Sequence, residues 1–216
     1  MQDIEERVIC FKKDAVGKKL AEGVFPDTHI WNPILSNAVS MSRNVAEQDR
    51  NYKQLVVYVL VKSNNSYLVY DRTQKSAETR LWDKFSLGIG GHVNVKDDKE
   101  LALFCSSEKE ALAKLANDAK RELGEEIIID IDFDKSEPRF THCFVNDDSD
   151  EVGTLHFGLI WLLKVEKKAV VRGRKGLAKL EFCDIDTIQT KRSQYESWSQ
   201  MIIDSLCGGN TCEGLR

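Results

Sequence analysis

Three carboxylates near the end of a long helical stretch constrain this chain more than any other feature. Glu122, Glu125 and Glu126 occupy positions i, i+3 and i+4 of the run Arg121-Glu122-Leu123-Gly124-Glu125-Glu126. On a helix of about 3.6 residues per turn, they lie within roughly 100° of one another around the axis. Like charges this close repel, and a hard divalent cation such as Mg²⁺ would reverse the sign of the interaction. A solvated acidic helix end is the alternative interpretation.

The residues before the triplet predict the helix that carries it. Ser107 is a suitable N-cap, and acidic residues in the first turn favour the helix dipole. An apolar stripe follows at helical spacing, formed by Leu112, Leu115, Ala119 and Leu123. The triplet lies about 90° around the axis from this stripe. The helix can therefore pack on a core while its carboxylates face the margin of a cleft.

The rest of the chain alternates strand and helix signals, which indicates an α/β (α+β) domain. Residues 55–61 form a continuous apolar run typical of a strand buried on both faces. A glycine-rich strand over 85–95 allows another group to approach its backbone closely. Further strands are predicted over 6–12, 67–70, 127–133, 139–145, 155–165 and 180–183, with a turn at 64–65 that joins the strands 55–61 and 67–70. A short helix is predicted over 101–105, a main helix over 194–206, and a basic turn over 170–176.

Composition limits the partners of the chain. Its 216 residues carry a net charge of −4 and a pI near 5.7, which gives no basic face for a nucleic-acid duplex. The six cysteines lack C-x-x-C spacing, so they are interpreted as reduced thiols rather than as a disulfide framework or a zinc site. We see neither a signal peptide nor an apolar run long enough to span a membrane. These features predict a cytoplasmic protein.

The glycine pair and the acidic helix together resemble the Nudix hydrolases, whose pattern is G-x5-E-x7-R-E-U-x-E-E-x-G-U, with U an aliphatic residue. Gly90 and Gly91 end a strand, a helix follows, and residues 121–126 supply the R-E-U-x-E-E core. The resemblance covers residues 51–206. It implies a Nudix-like α/β/α sandwich with a mixed β-sheet and a catalytic strand-loop-helix. Residues 1–50 are then an N-terminal extension packed on this domain, and residues 207–216 a flexible C-terminal tail.

The chain departs from the family pattern at several positions. Gly91 and Arg121 are separated by about twice the usual distance, which indicates an insertion over about 95–107. Ala113 stands where the family has the glutamate that braces the arginine, and Ile128 stands where the family has a glycine. Glu110 or Glu108 is the expected substitute partner of Arg121.

The resemblance implies a hydrolase that uses Mg²⁺ or Mn²⁺ on a small phosphorylated substrate derived from a nucleotide. Glu122, Glu125 and Glu126 would bind the metal together with the Gly90 carbonyl, and Arg121 would orient the loop by ion pairing. Clustered carboxylates with metal ions neutralise charge on phosphate oxygens and activate water. The general base would be a helix glutamate or an acidic residue in the loop 146–151, of which Glu151 is preferred to Asp148. The alternative interpretation of the loop 146–151 is a solvated turn without a catalytic role.

Two other functions stay open. A Nudix domain can serve as a nucleotide-binding regulatory module without turnover, and the departures from the family pattern at Ala113 and Ile128 would fit such a loss of catalysis. Alternatively, the same fold can isomerise prenyl diphosphates, a chemistry that needs a catalytic cysteine, for which Cys105 and Cys143 are the candidates. The sequence does not name the substrate, and the N-terminal segment is a candidate for mediating a homodimer.

Overall fold

The computed structural model describes residues 6–16, 20–26, 28–72, 84–133, 135–166, 169–174, 176–208 and 212–215. Its strands are β1 (Arg7–Lys12), β2 (Gly23–Pro26), β3 (Ala38–Ser42), β4 (Tyr52–Ser63), β5 (Ser66–Arg72), β6 (Phe85–Ser86), β7 (Gly88–His92), β8 (Ile127–Ile129), β9 (Arg139–Asn146), β10 (His156–Lys164), β11 (Val170–Gly173) and β12 (Leu177–Asp184). Its helices are α1 (Thr28–Ser36), α2 (Arg43–Ala46), α3 (Asp98–Ser106), α4 (Glu108–Glu126), α5 (Glu151–Leu155), α6 (Ile185–Thr190) and α7 (Ser197–Cys207). Within these ranges, no helix has the length and apolar character that crossing a bilayer requires.

A mixed sheet forms the centre of the fold, with the strand order β12-β5-β4-β10-β9-β2. β4 and β10 are parallel neighbours over nine paired positions, and β9 then runs antiparallel to β10. β4 continues into β5 through a tight turn in which Asn64 has a φ of 53°. Asparagine tolerates this left-handed conformation, so the turn predicted at 64–65 is confirmed.

Both faces of the sheet are covered, because successive residues of β4 point to opposite sides. Val57 and Val59 belong to one buried core, which includes residues of α1, α3 and α4. Val56 and Leu60 belong to the other core, which includes residues of α6 and α7. The predicted α/β/α sandwich with a mixed sheet is confirmed.

The N-terminal segment contributes strands to the main sheet. β1 pairs with both β3 and β4, and β2 adds to the outer edge of β9. α1 buries Trp31, Ile34 and Leu35 in the first core. The strands of this segment are thus part of the sheet and do not only pack on its surface.

Two regions differ from their sequence-based interpretation. Residues 170–173 form β11, which pairs with β8, and not a simple basic turn. Near the C-terminus, Cys212 and Leu215 are buried in the second core, and Cys212 forms a disulfide with Cys143, 69 residues away. The burial of Cys212 and Leu215 differs from the flexible tail predicted over 207–216. The disulfide differs from the six reduced thiols that the sequence suggests. The apolar side chain of Leu215 and the contact of Gly214 with β9 hold this segment on the sheet.

Candidate active site

A cavity of about 350 Å³ opens where β7, the end of α4, the segment around α5 and the start of α7 meet. The three predicted metal-binding glutamates, Gly90 and Arg121 all line it. These elements are separated in the chain by up to about 100 residues. The sheet brings them together because β7 and β10 both pair with β4.

Helix α4 delivers the carboxylates as the sequence predicts. The Ser107 hydroxyl accepts a hydrogen bond from the Glu110 N–H at 3.2 Å and so caps the helix. Leu115, Ala119 and Leu123 are fully buried in the core. Leu112 is only partly buried, and Ala111 completes the buried stripe in its place. The packing of this buried stripe on the core fixes the position of the last turn of α4 relative to β7.

The Glu122 carboxylate lies directly over the backbone of Gly91. A methyl group at residue 91 would lie only 2.0 Å from Glu122 Cδ, so only glycine leaves this seat open. On the same strand, Gly88 leaves room for the Tyr58 ring, because a methyl group at residue 88 would lie 1.9 Å from Tyr58 Cε1. The close approach that the glycine-rich strand predicts is therefore found at the proposed site.

The three glutamates influence one another electrostatically. Burial raises the pKa of Glu122, Arg121 opposes this shift, and the charges of Glu125 and Glu126 raise the pKa further. Glu122 is 8% exposed, whereas Glu125 and Glu126 are partly exposed at the cavity wall. Such a group of mutually repelling carboxylates is stabilised by positive charge.

Arg121 supplies part of this positive charge. Its Nη1 lies 2.6 Å from Glu122 and 3.2 Å from Glu125, and its Nη2 donates to the His92 carbonyl at 3.1 Å. The remaining partner is Asp118, at 3.3 Å, and not Glu108 or Glu110 as the sequence suggests. Asp118 is one helical turn from Arg121 and therefore on the same face, whereas Glu110 and Glu108 are three turns away or more.

Two histidines face the cavity beside the glycine pair. The Nε2 atoms of His92 and His156 are 3.1 Å apart, and His156 Nδ1 lies 2.6 Å from the Val152 carbonyl. A carbonyl only accepts, so His156 Nδ1 carries the proton and His92 Nε2 donates to His156 Nε2. Burial, His156, Arg43 and Arg121 hold the pKa of His92 well below its usual range. When both rings are neutral, His92 Nδ1 is a hydrogen-bond acceptor.

The wall opposite α4 is built by residues that the sequence did not single out for the site. Tyr58 donates to Glu196 at 2.6 Å, and Ser199 bonds to the same Glu196 oxygen. Glu196 also accepts from the backbone N–H groups that begin α7 and so caps that helix. The ring of Trp198 packs edge-on against Tyr58. The contacts of Tyr58 with Glu196 and Ser199 join positions 138 and 141 residues apart, for which the sequence contains no local signal.

The acidic loop before α5 forms the third side of the cavity. Asp150 lines the cavity and caps α5, accepting from the Gly153 N–H at 2.6 Å. Lys53 is fully buried beneath the loop and reaches Asp148 and the carbonyls of Gly153 and His156. The side chain of Glu151, the preferred general base, is 73% exposed and lies 3.5 Å from Arg50, outside the cavity lining.

The cavity can be compared with what a divalent metal requires. Its donor set is rich in carboxylate oxygen, and the Gly91 seat brings Glu122 against the strand that carries the Gly90 carbonyl. Among the described residues, however, no three His, Cys, Asp or Glu side chains converge on one point. Arg121 holds two of the carboxylates instead. The residues fit a hard cation in chemistry and location, provided that Glu122 and Glu125 turn from Arg121.

The two cysteines considered for isomerase chemistry lie away from this cavity. Cys143 is bonded to Cys212 in the second core, and Cys105 on α3 packs against the first core. The residues that line the cavity include no cysteine among those that the structure describes. A cysteine-dependent isomerisation at this site therefore receives no support from the geometry.

Comparison with known proteins finds similarity in sequence and in structure. No protein-family model matches the chain. The chain is 30% identical to protein YmaB of Bacillus subtilis over 222 residues, which cover 95% of this chain and all of that protein. Of the solved structures, the crystal structure of Tm1382, a candidate Nudix hydrolase, superposes with a TM-score of 0.69 at 22% identity, covering 95% of this chain and 100% of Tm1382. DR0079 from Deinococcus radiodurans has a TM-score of 0.49 at 10% identity, over 69% of this chain and 80% of its own.

These similarities agree with the resemblance seen in the sequence. The match to YmaB covers 95% of this chain and the whole of YmaB. The match to Tm1382 has the same extent and identifies the architecture. The chain belongs to the family of Bacillus subtilis YmaB and has the Nudix hydrolase fold.

Proposed function

We propose that the protein is a Mg²⁺- or Mn²⁺-dependent hydrolase that cleaves the diphosphate linkage of a nucleoside diphosphate joined to another group. The observation that carries this proposal is the seating of Glu122 over Gly91, with Glu125 and Glu126 lining the same cavity. A helix with three carboxylates against a glycine strand end is what a phosphate-bound metal needs. The cavity of about 350 Å³ is large enough for a small phosphorylated molecule.

The chain's own residues have distinct roles in this chemistry. Glu122, Glu125, Glu126 and the Gly90 carbonyl would hold the metal, which supplies charge neutralisation for the phosphate oxygens and acidifies water. Arg121 orients the end of α4 by ion pairing on both sides of its guanidinium. Trp198 and Tyr58 close the opposite wall and limit the access of bulk water.

The position of the candidate bases favours a helix glutamate. Glu125 and Glu126 face the cavity, whereas the Glu151 side chain is solvated beside Arg50. A base must come within hydrogen-bond reach of the attacking water, directly or through one other water. We therefore propose Glu125 or Glu126 as the base. The substitution Glu151→Gln, which should leave the rate unchanged, is the direct check.

A second candidate function is a nucleotide-binding regulatory module. The observation that favours it is that Arg121 pairs with both Glu122 and Glu125 and so offsets part of their repulsion without a metal. A binding module of this kind would take its ligand equally well with and without Mg²⁺. The retention of all three glutamates against Gly91 supports the hydrolase more strongly.

Both candidates are tested by incubating the full chain with dinucleoside polyphosphates, nucleotide sugars, dinucleotide cofactors and nucleoside triphosphates, with and without Mg²⁺. Phosphorylated products are measured for wild type and Glu125→Gln. Glu108→Gln is the matched control, because it removes a carboxylate from the exposed first turn of the same helix.

The hydrolase predicts Mg²⁺-dependent turnover of at least one compound, which Glu125→Gln abolishes and Glu108→Gln preserves. Circular dichroism of both variants confirms that they are folded. No turnover of any compound, together with tight Mg²⁺-independent binding of one of them, would reject the hydrolase and support the regulatory module.

A further inference from the structure

A line of four charged side chains connects the inserted helix α3 to Arg121. Glu100 on α3 lies 3.6 Å from Lys114 Nζ, and Lys114 Nζ lies 2.7 Å from Asp118 Oδ2. The other oxygen of Asp118, Oδ1, lies 3.3 Å from Arg121 Nη2. Asp118 is only 4% exposed, so both of its oxygens face these cations and not bulk water. A buried carboxylate requires such partners to remain charged.

Arg121 stands between two sets of acceptors. On one side are Glu122 and Glu125, and on the other are Asp118 and the His92 carbonyl. A divalent cation that binds Glu122 and Glu125 competes with the guanidinium for the same oxygens. Because the guanidinium stays charged, it must keep an acceptor on its other side. Asp118 is the charged acceptor already within reach.

We propose that Asp118 is a positioning residue that retains Arg121 while Glu122 and Glu125 turn to a divalent cation. This inference rests on the proposed metal-dependent function of the same site. Asp118 acts through Arg121 and has no contact with the substrate or the metal. Its effect is to make the two carboxylates available, so metal affinity depends on it.

Lys114 modifies this arrangement in a predictable direction. It competes with Arg121 for the charge of Asp118, since each cation binds one carboxylate oxygen. Replacing Lys114 by methionine leaves Asp118 entirely to Arg121. The attraction between Asp118 and the Arg121 guanidinium should then increase, and the affinity of the site for the divalent cation should stay the same or increase.

The test is a titration of the full chain with Mn²⁺, followed by electron paramagnetic resonance. The proteins are wild type, Asp118→Asn, Lys114→Met and Glu110→Gln, the last being a control that removes a neighbouring helix carboxylate. We expect Asp118→Asn to bind Mn²⁺ about tenfold more weakly, as is usual for the loss of an outer partner of a metal site. Lys114→Met should bind as tightly as wild type or more tightly, and Glu110→Gln should be unchanged.

Asp118→Asn leaves the Lys114 ammonium in a half-buried site, so this variant can lose stability. The double variant Asp118→Asn with Lys114→Met removes both charges and keeps the fold testable. It should show the same weakened Mn²⁺ affinity as Asp118→Asn alone. Thermal melts establish that each variant is folded at the titration temperature.

A spectroscopic readout separates positioning from general stability. The Arg121 Nε–H signal, assigned by its loss in Arg121→Lys, should move when Mg²⁺ is added to wild type. In the folded variants that lack the Asp118 charge, this movement should require about tenfold more Mg²⁺.

Several outcomes would overturn the inference. A folded protein without the Asp118 charge that keeps wild-type Mn²⁺ affinity shows that Arg121 needs no such partner. Equal weakening by Lys114→Met and Asp118→Asn shows that the pair only supports the helix. Wild-type protein that binds no Mn²⁺ rejects the proposed function itself, which distinguishes that failure from the failure of this inference.

Discussion

The substitution Gly91→Ala tests the seat of Glu122 with a single methyl group. That methyl would lie 2.0 Å from Glu122 Cδ and 2.1 Å and 2.4 Å from the two carboxylate oxygens. Ordinary van der Waals contact begins at 3.4 Å, so the carboxylate must move by about 1.4 Å. The obstructing atoms are the far end of a flexible side chain, which can rotate away while the strand and helix stay in place.

This displacement should separate function from stability. A misplacement of about 1 Å costs on the order of 100-fold in rate, which corresponds to about 2.7 kcal/mol of transition-state stabilisation. The fold should lose only about 1 kcal/mol, at the lower end of the cost of overpacking. We therefore expect a folded protein with strongly reduced Mn²⁺ affinity and turnover.

Gly124→Ala is the matched control, because it adds the same methyl to α4 between Leu123 and Glu125. Nothing lies within 4 Å of the added carbon. Alanine in a helix should increase the free energy of unfolding by about 0.5–1 kcal/mol and leave activity intact. Urea unfolding and Mn²⁺ titration are measured for both variants. Full metal affinity in Gly91→Ala would refute the reasoning, as would a loss of affinity that only follows unfolding.

Two further predictions concern stability. Burial lowers the pKa of Lys53 from its ordinary 10.5 to about 8. Between these values the unfolded chain binds the proton that the folded chain releases, so this residue's contribution to stability rises with pH. Urea unfolding should show that wild type gains about 1 kcal/mol over Lys53→Met from pH 7 to pH 9; an equal difference at both pH values would contradict the burial argument. Reduction of the Cys143–Cys212 disulfide should lower the free energy of unfolding by about 4 kcal/mol on loop-entropy grounds. Cys143→Ser should match reduced wild type, and a variant as stable as the oxidised protein would show that the bond contributes nothing.

The features predicted correctly are those encoded locally. The Ser107 cap, the stripe on α4 and the turn at Asn64 each depend on a few adjacent residues, so they can be read without a partner. The glycine pair of β7 indicates a close approach, although its partner, Glu122, is about 30 residues away. Helical spacing also places the three glutamates on one face.

Two of the missed features depend on pairing between distant residues, and a third depends on the choice among several nearby charges. β11 is only four residues long, and its pairing with β8 defines it as a strand. The sequence predicts Glu108 or Glu110 as the partner of Arg121, because Ala113 replaces the glutamate of the family pattern. Asp118, one turn before Arg121, is the partner in the structure. In the sequence it does not stand out from the other charged residues of the helix. The Tyr58–Glu196 contact has no local pattern at all.

The central claim is that water attacks a phosphorus atom at the metal-loaded end of α4. The most direct measurement is hydrolysis of the same compound panel, with Mg²⁺, in water labelled with oxygen-18. We predict that one compound is cleaved into two phosphorylated products, that one product carries the label, and that Glu125→Gln abolishes its formation. A folded protein that binds Mn²⁺ but cleaves no member of the panel, or that yields products without the label, would contradict the claim.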